Sequence, residues 1–385
     1  MGADELDRGL EDVLVAETRL SEVDGEAGAL TIAGFPLAEL APNATFEETA
    51  YLLREDRLPT VDELAAFRTE LAIRRELPAP ARLTLRVAAA AGVPAMDALR
   101  MGAASASLAR DEPGDEPTTD SLLAIAQFPT IVAAYHRMQR GEKLVDPDPT
   151  LSHAANYLHM LTGEESREAQ VRGLETYLNT VVDHGLNAST FTARTIVSTE
   201  SDVISAVTGA VGALKGPLHG GAPGPVLEML REIEETGDPE SYLTAKLDAG
   251  ERLMGFGHRV YRVRDPRAAV LADAAEQFYE ASDETAFFEL ASEVEETAVK
   301  LLSDRHPDRP LETNVEFYTA LLLSGIGIPD DLFSATFAVS RIAGWTAHCL
   351  EQLADNRLIR PRSRYVGETG REWVPVESRR QTESR

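Results

Sequence analysis

Apolar residues in this chain recur every three to four positions over most of its length, and that period confines it to a mainly helical fold. The runs Phe46 to Leu53, Val61 to Leu71, Leu151 to Leu161 and Val203 to Leu214 each gather apolar side chains on one helix face. Alternating, strand-like stretches are scarce. The best are Val13 to Thr18 and Ala29 to Ile32, on either side of the turn-forming pair Asp24-Gly25. The expected fold is therefore all-α with a small N-terminal β-hairpin. With 385 residues, 43% of them hydrophobic, the chain can bury one large core or two ordinary ones.

Charge narrows the function classes. A formal net charge of −27 argues against general nucleic-acid binding. The chain has four lysines, Lys143, Lys215, Lys246 and Lys300, and its other cations are arginine. Acid-rich, lysine-poor surfaces are expected of proteins working in concentrated salt, where a Debye length of ~3 Å at 1 M makes self-repulsion tolerable. The acidic opening MGADELDRGLED lacks the order of a secretory leader, and apolar runs such as Ala320 to Gly325 are too short to cross a bilayer. The lone cysteine, Cys349, reads as a small buried hydrophobe in a reducing compartment, so a cytoplasmic location is expected. Arg110 to Asp120 reads as an acidic surface loop, and the polar tail after Gly367 as lying on a surface or a partner. The segment AVTGAVGAL (206–214) carries small residues at helical period, which suits close internal packing or a dimer seam equally.

In three segments polar residues stand out of place. In KGPLHGGAPGPV (215–226), Gly216-Pro217 ends one helix and Pro223 or Pro225 starts the next. His219 thus lies in a glycine-rich loop leading to a helix N-terminus, where the dipole disfavours imidazolium. A neutral imidazole there can donate to a carbonyl gaining negative charge, although a lone histidine in such a turn reads more readily as structural. GFGHRVYRVRDPRA (255–268) concentrates His258, Arg259, Arg262, Arg264 and Arg267 on an acidic chain, which implies a local anionic ligand. Asp265-Pro266 reads as N-cap and first residue of a helix, with Arg267 in its first turn. Gly255 and Gly257 allow the backbone to approach a flat group. In TNVEFYTALLL (313–323), Glu316 stands just before an apolar helix, where alone it would read as a dipole-stabilising acid.

Together, LKGPLHGG, GFGHRVYRVRDPRA and NVEFY resemble the three catalytic signatures of the citrate synthase family, in its order and at its spacing. RGLEDVLVAETRLSEVDGEAG, FEETAYLLREDRLP, DHGLNAST (183–190) and the blocks within 340–367 are similar to further family segments, so the likeness covers nearly the whole chain. It implies a two-domain helical homodimer. Residues 1–217 and 328–385 would form the large domain and dimer interface, and 218–327 a small domain, with the site in the cleft between them.

The resemblance also implies roles. His219 would polarise a thioester carbonyl and stabilise its enol. His258 would polarise the ketone of oxaloacetate and protonate the new alkoxide. The residue at the family's catalytic-base position is Glu316. His184 would bind oxaloacetate, Arg267 and Arg341 would clamp its carboxylates, and Arg360 would reach in from the partner subunit. Asn187 and Ser189 would orient the histidines. Arg262 and the backbone of Leu253, Gly255 and Gly257 would hold coenzyme A, with Arg252 a weaker candidate. The implied reaction joins acetyl-CoA, oxaloacetate and water into citrate and CoA, at the entry to the tricarboxylic acid cycle. It needs no permanently bound cofactor and no metal, the acyl-CoA being a co-substrate. These roles suit the chemistry, since a base taking a thioester methyl proton needs a donor opposite, at the developing enolate oxygen. Two alternatives stand beside it: a 2-methylcitrate synthase using propionyl-CoA, and an impaired or regulatory paralogue. Retention of both histidines and all three arginines argues against the paralogue.

The chain departs from the family pattern at three places. The base position holds glutamate where the family has aspartate, which moves the carboxylate by roughly an ångström. APGPV (222–226) replaces the usual Asn-Glu pair, and its two prolines are expected to stiffen the loop just after His219. Ala33 stands where an arginine is common.

Overall fold

The computed structural model describes residues 8–10, 13–109, 116–220, 223–258, 260–261, 263–282, 285–308 and 311–379. Three short strands open the chain: β1 (Ser21–Asp24), β2 (Ala29–Ile32) and β3 (Phe35–Pro36). They form one antiparallel sheet in sequence order, with Ser21 opposite Ile32 and Ile32 opposite Phe35. The expected turn at Asp24-Gly25 is where β1 ends. The expected strand at Val13 to Thr18 is not: residues 13–18 are unpaired, and the first strand begins at Ser21. In place of pairing, Val13 and Val15 line a cavity.

Helices follow: α1 (Leu37–Leu40), α2 (Phe46–Glu55), α3 (Val61–Ala72), α4 (Ala79–Ala90), α5 (Ala95–Ala104) and α6 (Pro117–Gln139). Next come α7 (His153–Thr162), α8 (Glu168–Val181), α9 (Ala188–Val197), α10 (Val203–Leu214) and α11 (Pro223–Thr236). The last are α12 (Pro239–Asp248), α13 (Pro266–Ala281), α14 (Thr285–Arg305), α15 (Val315–Ile326) and α16 (Phe333–Ala354). Their starts follow local rules. Thr45 and Thr60 form capping boxes with Glu48 and Glu63, and Ser152, Asp202, Asp265 and Asn314 each cap a helix with a side-chain oxygen.

The long helices α6 and α16 pair at the centre, and both are buried through most of their length. Phe128 of α6 meets Trp345 of α16 edge to face, with ring centroids 6.5 Å apart. Helices α2, α8, α9 and α10 pack on α16, and α3, α4, α5 and α7 on α6. A second group, α11 to α15, packs mainly on itself and joins the first through α8 against α13 and α15. The small-residue helix α10 lies against α9 within the chain: a Cβ at Gly209 would come within 2.3 Å of Ile196 Cδ1.

Two expectations need correction here. Residues 110–115 of the expected acidic loop lie outside the described residues, but Pro117 to Asp120 already form the first turn of α6, and Asp120 is buried. Pro223 and Pro225 lie in the first turn of α11, where proline is tolerated, so they stiffen a helix start. The tail after α16 is exposed as far as the described residues run. Cys349 is buried in α16, and burial pushes its thiol up to about 12. Among the described residues no helix is long and apolar enough to cross a membrane.

Candidate active site

One cavity of about 1350 Å³ opens between the two helix groups. The loops around it carry its polar lining. His184 and Asn187 come from the α8–α9 loop, His219 from the α10–α11 loop, and Gly257 and His258 from the α12–α13 loop. Arg267 lies in the first turn of α13, Glu316 in that of α15, and Arg341 midway along α16. Glu316 is thus the second residue of its helix and not the residue before it.

The base position is built by a short antiparallel tie. Phe256 bridges Thr313, Gly257 N–H donates to Glu312 O at 2.7 Å, and Asn314 N–H donates to Gly255 O at 2.9 Å. Gly255 and Gly257 both adopt positive φ, 88° and 81°, and a Cβ on Gly255 would come within 3.0 Å of the Phe317 ring. Asn314 then caps α15, accepting the Glu316 amide at 3.0 Å. Burial raises the Glu316 carboxyl to about 7, with Arg267 opposing and Asp265 reinforcing that shift.

The histidines are held in defined tautomers. His258 Nδ1 accepts the Val260 and Tyr261 amides at 3.0 and 3.1 Å, which leaves its proton on Nε2. Arg267 Nη2 lies 3.2 Å from that Nε2. Two donors facing one place suit an anionic or carbonyl acceptor between them. His219 Nε2 accepts the Ser189 amide at 3.3 Å and lies 2.8 Å from Ser189 Oγ, so the proton sits on Nδ1. Ser189 Oγ in turn accepts Trp345 Nε1–H at 3.0 Å, and its one proton is shared between His219 Nε2 and Asn187 Oδ1, the latter 2.7 Å away. Burial lowers both His219 and His258 to about 4, aided by Arg341 and Arg267 respectively, so both rings are neutral at pH 7. His184 lies well below its ordinary range for the same reasons, and its Nε2 meets Tyr261 Oη at 2.9 Å.

The arginines differ in their commitments. Arg267 is paired with Asp265 through Nε at 3.1 Å and Nη2 at 2.8 Å. Arg341 is 1% exposed, donates Nε–H to Val181 O at 2.7 Å and stacks 4.5 Å from the Phe337 ring. Its buried Nη2 has no hydrogen-bond partner among the described residues, and burial lowers the guanidinium to about 10. An unpartnered cationic nitrogen on a cavity wall is a seat for a carboxylate.

Other expected site residues fall elsewhere. Arg252 lines the cavity mouth and is exposed, Leu253 is buried beneath the glycine loop, and Ser189 lies behind His219. Arg360 is exposed and does not line the cavity of its own chain. Arg259 and Arg262 lie outside the described residues. Arg264 does not join a common anion site: it pairs with Glu295 at 2.9 Å and lies over the Tyr318 ring. The cavity also takes Gly9, Leu10, Leu218, Thr319, Ser334 and Phe337, none of which the motifs singled out. Tyr261 carried a signal, lying within the cation-rich motif. Among the described residues no cluster of histidine, cysteine and acidic side chains could hold a metal ion.

Comparison with known proteins adds to this geometry. A family model for the citrate synthase C-terminal domain matches residues 9–362. The citrate synthase of Haloferax volcanii is 45% identical over 97% of this chain and 99% of its own. The 2-methylcitrate synthase of Shewanella oneidensis is 35% identical over 96% of this chain and 97% of its own. The Thermoplasma acidophilum citrate synthase, solved in a ternary complex with carboxymethyl coenzyme A and oxaloacetate, superposes with a TM-score of 0.85. It is 29% identical, covering 97% of this chain and all of that one (100%).

Proposed function

The chain belongs to the citrate synthase family, and from that premise we propose that its cavity joins acetyl-CoA to oxaloacetate. The observation that carries this reading is one wall holding Glu316, raised to about 7, with two neutral histidines and two buried arginines around it.

Each group has a step. Glu316 takes a proton from the acetyl methyl group, its carboxyl being poised near neutral pH. The Nδ1–H of His219 donates to the thioester oxygen as it becomes an enol oxygen. Oxaloacetate sits with a carboxylate on Arg341 Nη2 and Arg267 beside the ketone. The Nε2–H of His258 polarises that ketone and passes its proton to the new alkoxide. The carbon–carbon bond forms between the enol carbon and the ketone carbon, and water then cleaves the thioester to give citrate and CoA. His184 holds oxaloacetate, Ser189 and Asn187 hold His219, and Arg252 with the Leu253 to Gly257 backbone seats CoA. The acyl-CoA is a co-substrate, so no resident cofactor is required.

We assign 218–327 to a small domain that closes over 1–217 and 328–385, because α11 to α14 pack mainly on one another and on α15. Arg360 acts across a homodimer in this reading. It is exposed, and the extended tail after it leaves Tyr365 72%, Val366 89% and Trp373 79% exposed, which suits a partner surface. A cytoplasmic location fits a single buried free thiol.

Release of free thiol from acetyl-CoA, measured with oxaloacetate in concentrated salt, tests the function. Oxaloacetate-dependent thiol release is expected, faster with acetyl-CoA than with propionyl-CoA. No release with either acyl-CoA would defeat the reading.

A further inference from the structure

The N-terminal sheet touches both loops that carry the oxaloacetate-facing histidines. On one side, Ser21 at the start of β1 donates its hydroxyl to Asp183 Oδ2 at 2.5 Å. The same oxygen accepts the Gly185 amide at 2.7 Å. Asp183 and Gly185 flank His184, so one hydroxyl ties the carboxylate of the residue before that histidine to the backbone amide of the residue after it. Gly185 turns there with φ 57°, and its Cα faces Val23 and Ser21 of β1. Asp183 Oδ2 also accepts His348 Nε2–H at 3.2 Å, and His348 Nδ1 faces Arg194, which pairs with Glu351 at 2.6 Å. Burial alone would raise the Asp183 carboxyl, but His348, Arg341 and Ser21 together hold it below its ordinary value.

On the other side, the β1–β2 turn lies against the loop after His258. A Cβ at Gly25 would come within 2.5 Å of the Val260 carbonyl oxygen, and one at Gly28 within 2.5 Å of Val263 Cγ2. Val260 supplies one of the two amides that set the His258 tautomer. The sheet is therefore seated against both loops, which belong to different helix groups.

We infer that Ser21 is a positioning residue for oxaloacetate binding, through which the N-terminal sheet fixes the His184 loop relative to the His258 loop. The inference rests on the reading of His184 as an oxaloacetate ligand. Ser21 does not reach substrate. It sets the angle at which His184 meets Tyr261 and the bound dicarboxylate. Without its hydroxyl, the Gly185 amide and the Asp183 carboxylate lose a shared partner, and the loop between them is free to turn.

Steady-state kinetics and thermal melting of Ser21→Ala and Ser21→Thr decide the matter. Ser21→Ala is expected to raise the KM for oxaloacetate about tenfold, the equivalent of one lost hydrogen bond. The KM for acetyl-CoA and the melting midpoint are expected to stay at wild-type values, and Ser21→Thr, which keeps the hydroxyl, to restore oxaloacetate affinity. Should Ser21→Ala be too unstable to assay, Ser21→Cys gives the same readout with a weaker acceptor. An unchanged oxaloacetate KM, or equal losses for both substrates that threonine does not restore, overturns the inference. A wild-type chain that releases no thiol with oxaloacetate overturns the functional reading instead.

Discussion

Asn314 donates its side-chain amide to the Gly257 carbonyl at 2.9 Å, tying the cap of the Glu316 helix to the loop that ends in His258. Glu316 and His258 therefore ride on one locally tied piece. His219 is held from elsewhere, by Ser189 of α9, whose hydroxyl is in turn fixed by the Trp345 indole of α16. Under the proposed function, the reacting atoms come together when the two pieces meet around substrate, and closure of that kind excludes water.

The pH dependence follows from Glu316. A base must be unprotonated in the free enzyme, so kcat/KM is expected to rise with pH through about 7, where its carboxyl titrates. Its folded value lies above the ordinary 4.5, so the carboxyl favours the fold fully below 4.5 and that contribution is lost as pH rises through about 7. Glu316→Gln should then melt higher than wild type at pH 8 and alike at pH 4. A flat rate profile between pH 5.5 and 8.5 would contradict the assignment.

Arg341 Nη2 is buried and has no hydrogen-bond partner among the described residues. Arg341→Lys keeps the charge but loses the planar fork that meets a carboxylate. Titration with oxaloacetate is expected to show affinity lower by ~2 kcal/mol, about thirtyfold. Equal affinity in the two proteins would remove Arg341 from the substrate site.

In the proposed mechanism Ser189 acts through His219, which it touches. Ser189→Ala removes the hydroxyl beside Nε2 and the acceptor of the Trp345 indole. With the ring less firmly oriented, kcat is expected to fall by about 10 to 100-fold while the KM for oxaloacetate holds. A change in KM alone would mean that Ser189 serves binding and not the orientation of His219.

Much of this arrangement was legible in the sequence because it is local. The helix starts at Asp265-Pro266 and at Pro223, the glycines at 255 and 257, and the α10 boundaries all follow from neighbouring residues. What was not legible depends on distant contacts. Ser21 meets Asp183 across 162 positions, and nothing in either segment alone signals the pairing. Residues 13–18 begin with an apolar run with β-branched ends, VLV, that reads as a strand, yet Val13 and Val15 line the cavity, because such a run does not specify a pairing partner. Arg264 sat in a cation-rich run, but Glu295 on α14 claims it.

The charge of −27 predicts a salt requirement. At ~10 mM salt the Debye length of about 30 Å lets the surface carboxylates repel one another, whereas at ~1 M it is about 3 Å. Thermal scans are expected to give a lower melting midpoint in dilute buffer than in concentrated potassium chloride. An equal or higher midpoint in dilute buffer would show that the acidic surface carries no such dependence.

The most direct test of the account is thiol release by Glu316→Gln, assayed beside wild type with saturating acetyl-CoA and oxaloacetate. Glutamine keeps the shape and removes the base. Oxaloacetate should still bind, while kcat falls by about a thousandfold or more, the worth of a positioned general base. A variant that keeps kcat within tenfold of wild type would contradict the claim that Glu316 takes the proton.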